Sequence, residues 1–131
     1  MPYFVVKSAP VPVSGGARWS FDEKTMYRGK TIRVGDPIFV FASDHQGGRG
    51  LVARGIVTAV SAGRGNRVAI GVRRTAVAQQ PLGRSELAAF RERRDDSPQT
   101  EIARKLYRQA TNKIAGISDQ AARFIGAHFA D

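Results

Sequence analysis

Ile32-Arg33-Val34-Gly35-Asp36-Pro37-Ile38-Phe39-Val40-Phe41-Ala42-Ser43, followed after a glycine-rich break by Gly50-Leu51-Val52-Ala53-Arg54-Gly55-Ile56-Val57-Thr58-Ala59-Val60, decides the fold class. Val34-Gly35-Asp36 reads as a tight turn that delivers the chain into an apolar run of β-branched and aromatic residues. The second run repeats that character. Gly55 falls where a strand has to bend or bulge. Two buried strands joined by a polar, flexible loop are what a small β-barrel builds at its centre. In such barrels the joining loop often sits beside a binding mouth.

Outward from this pair, Tyr3–Ser8 predicts a first strand, ended by Ala9-Pro10-Val11-Pro12 because proline cannot continue a central ladder. Ser14-Gly15-Gly16 extends that break. Arg18 to Thr31 is polar with scattered aromatics (Trp19, Phe21, Tyr27) and reads as a loop with a short helical turn. Ser61-Ala62-Gly63-Arg64-Gly65-Asn66 is a turn, and Arg67–Val77 alternates apolar and polar residues as a strand with one face in a core does. After Pro81-Leu82-Gly83 the pattern becomes helical. Ser85 is the expected cap of a helix through Phe90. Ser97-Pro98 starts a second helix, with Ile102, Ala103, Leu106, Tyr107 and Ala110 at helical spacing. Ser118 caps a third, whose stripe is Ala121, Ala122, Ile125 and Phe129. The expected architecture is α+β: a β-barrel with helices packed around it, mostly C-terminal, in one domain spanning residues 1–131.

The 131 residues suffice for a core without cross-links, and the absence of cysteine excludes disulfides and thiolate metal sites, which suits a reducing cytoplasm. No run approaches the roughly 20 apolar residues of a membrane span. The short apolar N-terminal run has no basic segment before it, so no signal peptide or membrane partner is expected. The net charge is +10, and arginine outnumbers lysine 16 to 5. Arginine favours planar, bidentate or stacked contacts to phosphates and bases. A GC-rich genome explains the ratio but not the net charge, which points to nucleic acid.

No catalytic or metal constellation stands out. His45 and His128 are far apart and neither has metal-ligand spacing to a partner, so no metal and no cofactor is expected. Gly47-Gly48-Arg49-Gly50 and Gly63-Arg64-Gly65-Asn66 match neither a P-loop nor a dinucleotide fingerprint and are explained as turns. Arg91-Glu92-Arg93-Arg94-Asp95-Asp96 reads as a solvated connection between helices. Trp19 has two readings. It either stacks on a flat ring at the barrel mouth or plugs one end of the barrel.

Taken in order, Tyr3-Phe4-Val5-Val6-Lys7-Ser8, Arg18-Trp19, the Val34-Gly35-Asp36 strand ending at Ser43, and Gly50–Val57 resemble the EVE domain of the PUA-like superfamily, a relative of YTH and ASCH domains. The segment from Tyr107 through Ser118 to Phe129 resembles the family's tail more loosely. Phe41-Ala42-Ser43 departs from the family's Tyr-His-Ser, so only Ser43 carries over, and the family's Val-Arg-Asn pattern before the strand is absent. The resemblance implies a pseudobarrel with an aromatic-walled pocket that accepts a flipped, often modified, nucleobase without catalysis. Trp19 and Ser43 would line it, joined by Asp44 and His45. Arg18, Arg49, Arg64, Arg73 and Arg74 are the expected backbone contacts, with DNA favoured over RNA as the target. Two other classes stay open: an ASCH-like enzyme acting on RNA or modified nucleosides through Glu23, Lys24 and Thr25, and a protein-interaction module with a basic surface.

Overall fold

The computed structural model describes residues 2–11 and 16–129. Six strands close into a barrel. They are β1 (Tyr3–Ser8), β2 (Arg18–Met26), β3 (Pro37–Ala42), β4 (Gly50–Ala62), β5 (Arg67–Val77) and β6 (Lys113–Ile117). Around the barrel the order is β1-β3-β4-β5-β2-β6, with β6 returning to β1. β1 runs parallel to β3 and β2 parallel to β6, while the remaining pairings are antiparallel.

The alternation of side chains explains which strands form which surface. On β1, Phe4 and Val6 point into the barrel while Val5 points out. On β3, Ile38 and Val40 point in while Phe39 and Phe41 point out. The outward set packs with Leu82, Leu87, Ile102, Leu106 and Ile125 from the helical layer. These strands are therefore covered on both faces, which is why they read as unbroken apolar runs.

β2 corrects the sequence reading, which makes Arg18–Thr31 a loop. Its odd positions Trp19, Phe21 and Thr25 are buried, and Arg18, Ser20, Asp22 and Lys24 are exposed. Half its residues face water, so the strand looks polar. The helical turn expected there follows at Gly29–Thr31. β6 is also missing from the sequence reading, which carries helical spacing through Ala110. β4 runs two residues into the segment read as a turn. At Gly55 the β4–β5 register shifts between Arg54 and Gly55, as the bulge reading requires.

Helix α1 (Arg84–Leu87) continues as a 3-10 turn to Phe90. Its start is at Gly83 rather than Ser85: the Gly83 N–H donates to Glu86 Oε1 at 2.7 Å. Gly50 and Gly83 pass so closely that a Cβ on Gly50 would collide with the Gly83 backbone. Helix α2 (Pro98–Ile102) has Pro98 in its first turn, and the Thr100 N–H donates to the Ser97 hydroxyl at 3.1 Å. It then widens into a π-turn, Ala103–Tyr107. Helix α3 (Asp119–Gly126) is capped by Ser118, which accepts from the Ala121 N–H at 3.1 Å. Ala121, Ala122 and Ile125 are buried, as the stripe predicts. Within the described residues no helix is long and apolar enough to cross a membrane. Part of the predicted break after β1, Pro12 to Gly15, lies outside the described residues.

Candidate nucleic-acid site

β3 ends at Ala42, and Ser43 leads into a single 3-10 turn, Asp44–Gln46. The turn is closed by Gln46 N–H and Gly48 N–H donating to the Ser43 carbonyl at 3.1 and 2.9 Å. It hangs over the C-terminal end of the α2 π-turn. Between the two lies a cavity of about 160 Å³. Lys7 of β1, Asp44 and His45 line one side, and Tyr107, Arg108 and Gln109 the other. Arg84 and Arg91, flanking α1 and its 3-10 extension, complete the wall.

Lys7 is buried, at 1% exposure, inside an otherwise apolar strand. Its ammonium donates to the Leu106 carbonyl at 2.6 Å and to the Gln109 carbonyl at 3.5 Å. It also lies 5.1 Å from the centroid of the Tyr107 ring. Its register partner on β6, Lys113, donates to the Lys105 carbonyl at 2.8 Å. The two lysines thus answer carbonyls at the end of the α2 π-turn, where a helix leaves acceptors open and carries partial negative charge. Burial pushes the Lys7 ammonium below the usual lysine range; Asp44 opposes that shift and Arg84 adds to it. Burial, with Lys7 nearby, brings Lys113 down to about 8. Burial pushes the Tyr107 hydroxyl well above the usual tyrosine range, helped by the Asp44 charge and by the hydrogen bond between them.

Among the described residues, Ser43 Oγ and Asn112 Oδ1 are buried without a hydrogen-bond partner, and the buried Tyr107 hydroxyl is set against the Asp44 carboxylate. They gather in one place. Asp44 and Tyr107 line the cavity, Ser43 precedes Asp44, and Asn112 donates through Nδ2 to Gln46 Oε1 of the same turn at 2.8 Å. A buried polar atom without a partner costs about 1–3 kcal/mol.

Of the residues expected at the pocket, Asp44 and His45 line this cavity and Ser43 precedes them without lining it. Trp19 is not among the residues lining this cavity. It is 9% exposed in the barrel-interior cluster with Phe4, Phe21 and Val72, its ring edge-on to Phe21 at 6.3 Å. Of the expected backbone contacts, Arg18 and Arg73 are register partners at one end of β2 and β5, and Arg74 follows, its N–H donating to the Ala17 carbonyl. Arg64 is exposed in the β4–β5 turn. Arg49 runs along Gly83, one residue from Arg84 of the cavity wall. Glu23, Lys24 and Thr25 are consecutive on β2, so Lys24 points to the side opposite Glu23 and Thr25, whose hydroxyl donates to the Asn66 carbonyl at 2.6 Å. They form no convergent set. The described residues contain no group of three or more His, Asp or Glu side chains able to hold a metal.

The sequence reading does not reach Lys7, Arg84, Arg91, Tyr107, Arg108 or Gln109. Lys7 carries the available signal: a lysine closing an apolar strand that is covered on both faces must find acceptors inside the protein.

The closed mixed barrel with helices packed on it is the expected α+β architecture and agrees with the PUA-like fold. No family model matches the chain, and no curated protein matches it. Solved structures share the fold. The DUF55 domain of human thymocyte nuclear protein 1 superposes with a TM-score of 0.64 at 11% identity, covering 95% of this chain and 96% of that one. Human THYN1 in complex with 5-methylcytosine-containing DNA gives 0.62 at 8% identity, covering 100% and 99%. A Rhodopseudomonas palustris protein solved by NMR gives 0.61 at 15% identity, covering 98% and 93%.

Proposed function

We propose that this chain is an EVE-like, non-catalytic reader that takes one nucleobase, turned out of its stack in DNA, into the cavity between Asp44 and Tyr107. The observation carrying this reading is a cavity that sets Asp44 and Tyr107 on its wall and arginines on its rim. The size supports it: a cavity of roughly 150 Å³ admits a benzene-sized ring, whereas whole drug-sized ligands occupy roughly 300–1,000 Å³. About 160 Å³ suits one pyrimidine ring, with the sugar left outside.

Asp44 sets the preference. A carboxylate oxygen accepts from an exocyclic amine such as cytosine N4 and repels a carbonyl in the same place. The base is therefore a cytosine type, and the complex of the structurally similar human protein with 5-methylcytosine DNA supports the same class. Arg108 and Arg91 at the rim can stack their guanidinium planes on the ring. The exposed strand-end arginines Arg18 and Arg73 would serve a longer strand.

The test is a binding series on oligonucleotides identical except for one central residue: cytosine, 5-methylcytosine, thymine or adenine. Cytosine-type bases should bind best, and Asp44→Ala should remove that preference with a loss of about ten- to a hundredfold, the range of a hydrogen bond to a charged group. Equal binding of all four by wild type and variant would overturn the reading.

A further inference from the structure

Beside the base cavity lies a smaller one of about 60 Å³, lined by Arg91, Glu92, Arg93, Arg94, Arg104 and Arg108. Five guanidinium groups converge on it with one carboxylate. Among the described residues, the only ion pair any of the five makes is Arg93 with Asp95, at 3.8 Å, and Arg93 also covers the Phe90 ring at 4.9 Å. Arg91 and Arg104 are partly buried yet make no ion pair with a described residue. Arg104 and Arg108 gain from lying at the C-terminal half of α2 and its π-turn. That explanation does not extend to Arg91 and Arg94, which come from the connection between α1 and α2. Like charges gathered in a concave site from two segments call for a shared counter-anion.

Arg91 and Arg108 line both cavities. The two spaces are therefore contiguous across one pair of side chains. The first has room for a ring and the second for a tetrahedral anion.

We propose that Arg91, Arg94, Arg104 and Arg108 form a phosphate subsite that holds the backbone phosphate next to the base seated in the Asp44 cavity. The proposal rests on the base-reader assignment for its geometry, and it moves the main backbone contact from the β2–β5 arginines to the α1–α2 connection. The phosphate belongs either to a continuous strand or to the end of a mononucleotide.

Arg94 and Arg104 do not line the base cavity, so Arg94→Ala/Arg104→Ala tests the subsite alone. The probes are a single-stranded oligonucleotide with a central 5-methylcytosine, the same strand with an abasic residue there, and 5-methyldeoxycytidine with and without a 5′-phosphate. Each is titrated over a range of salt. For the methylated strand, the slope of log K against log salt should shrink by about 0.7 for each phosphate that the variant no longer neutralises on a single strand. Affinity for the unphosphorylated nucleoside should not change. Arg94→Lys/Arg104→Lys should keep most of the slope, which controls for misfolding. A wild-type slope in a folded double alanine variant would overturn the subsite while leaving the base reading intact. If methylated and abasic strands bind alike, and both show a smaller slope in the variant, the subsite stands and the base reading falls. A wild type that binds neither strand at low salt removes both. A phosphorylated nucleoside that gains over the plain one only in wild type identifies the terminal phosphate as sufficient. Gain confined to strands identifies the phosphodiester.

Discussion

Tyr107 carries a small consequence for stability and a larger one for binding. Its hydroxyl is buried and set against the Asp44 carboxylate. Tyr107→Phe should cost the ligand-free protein no more than about 1 kcal/mol, the net worth of one hydroxyl contact to Asp44. The same change should weaken oligonucleotide binding about tenfold. Denaturant unfolding and binding isotherms on one variant check both; a less stable variant that binds normally would show the hydroxyl to be structural. Trp19 should behave the other way round. As a core side chain among Phe4, Phe21 and Val72, its truncation to alanine should cost roughly 3–5 kcal/mol. Chemical denaturation gives that number. A variant that keeps its stability but loses binding would restore Trp19 as a stacking residue.

At the scale of elements, α2 and α3 are tied through one carboxylate. Glu101 accepts from the Ser118 N–H at 2.9 Å, from the Ser118 hydroxyl, and from the Lys105 ammonium at 3.0 Å. Ser118 at the same time caps α3. Ser118→Ala should therefore cost at least the roughly 1 kcal/mol typical of a lost N-cap, measured as a shift in the unfolding midpoint at unchanged m-value. A cost indistinguishable from zero would show that the Glu101 bridge adds nothing. Both serine caps on α2 and α3 are legible in the sequence, because a hydroxyl before a periodic apolar run has few other uses. So are β1 and β3, whose double coverage writes itself as continuous apolar sequence, and β4, whose first half is apolar and buried. β2 is not, because Arg18, Ser20, Asp22 and Lys24 face water and dilute the signal. Site legibility divides along the same line. Ser43, Asp44 and His45 follow directly from a strand end, which local sequence reveals. Tyr107 and Arg108 reach the cavity only because the helix widens into a π-turn and stops there, and that stop depends on carbonyls met by Lys7 and Lys113 from β1 and β6, remote in sequence.

For the molecule as a whole, those buried lysines make stability depend on pH in the alkaline range. Below about 8 Lys113 is charged in both folded and unfolded chains, and the cost of burying that charge is borne in full. Between about 8 and the ordinary lysine value of 10.5 the folded state sheds the proton first. The unfolded chain then holds more protons, so stability rises with pH, by roughly 3 kcal/mol at most. Lys7 contributes in the same direction. Tyr107 opposes it. Above about 10 the unfolded chain ionises this tyrosine and the folded one does not, so stability falls again. Urea unfolding at a series of pH values should show stability rising from about pH 8 to a maximum near pH 10, and Lys113→Met should flatten the rising limb. A monotonic decline from neutral pH in the wild type would contradict the lysine assignment.

The circular strand order has a consequence for how the protein is made. β1 leaves the ribosome well before β6, yet one of its two edges is matched only by residues 113–117, and β2 waits for the same strand. Until β6 emerges, the nascent chain can hold at most an open five-stranded sheet whose outer strands, β1 and β2, each offer a bare ladder. Barrel closure is thus a late event joining distant parts of the chain, the kind of pairing that slows folding. Synthesis that stalls before residue 113 leaves two sticky edges, an invitation to aggregation and a natural target for chaperones.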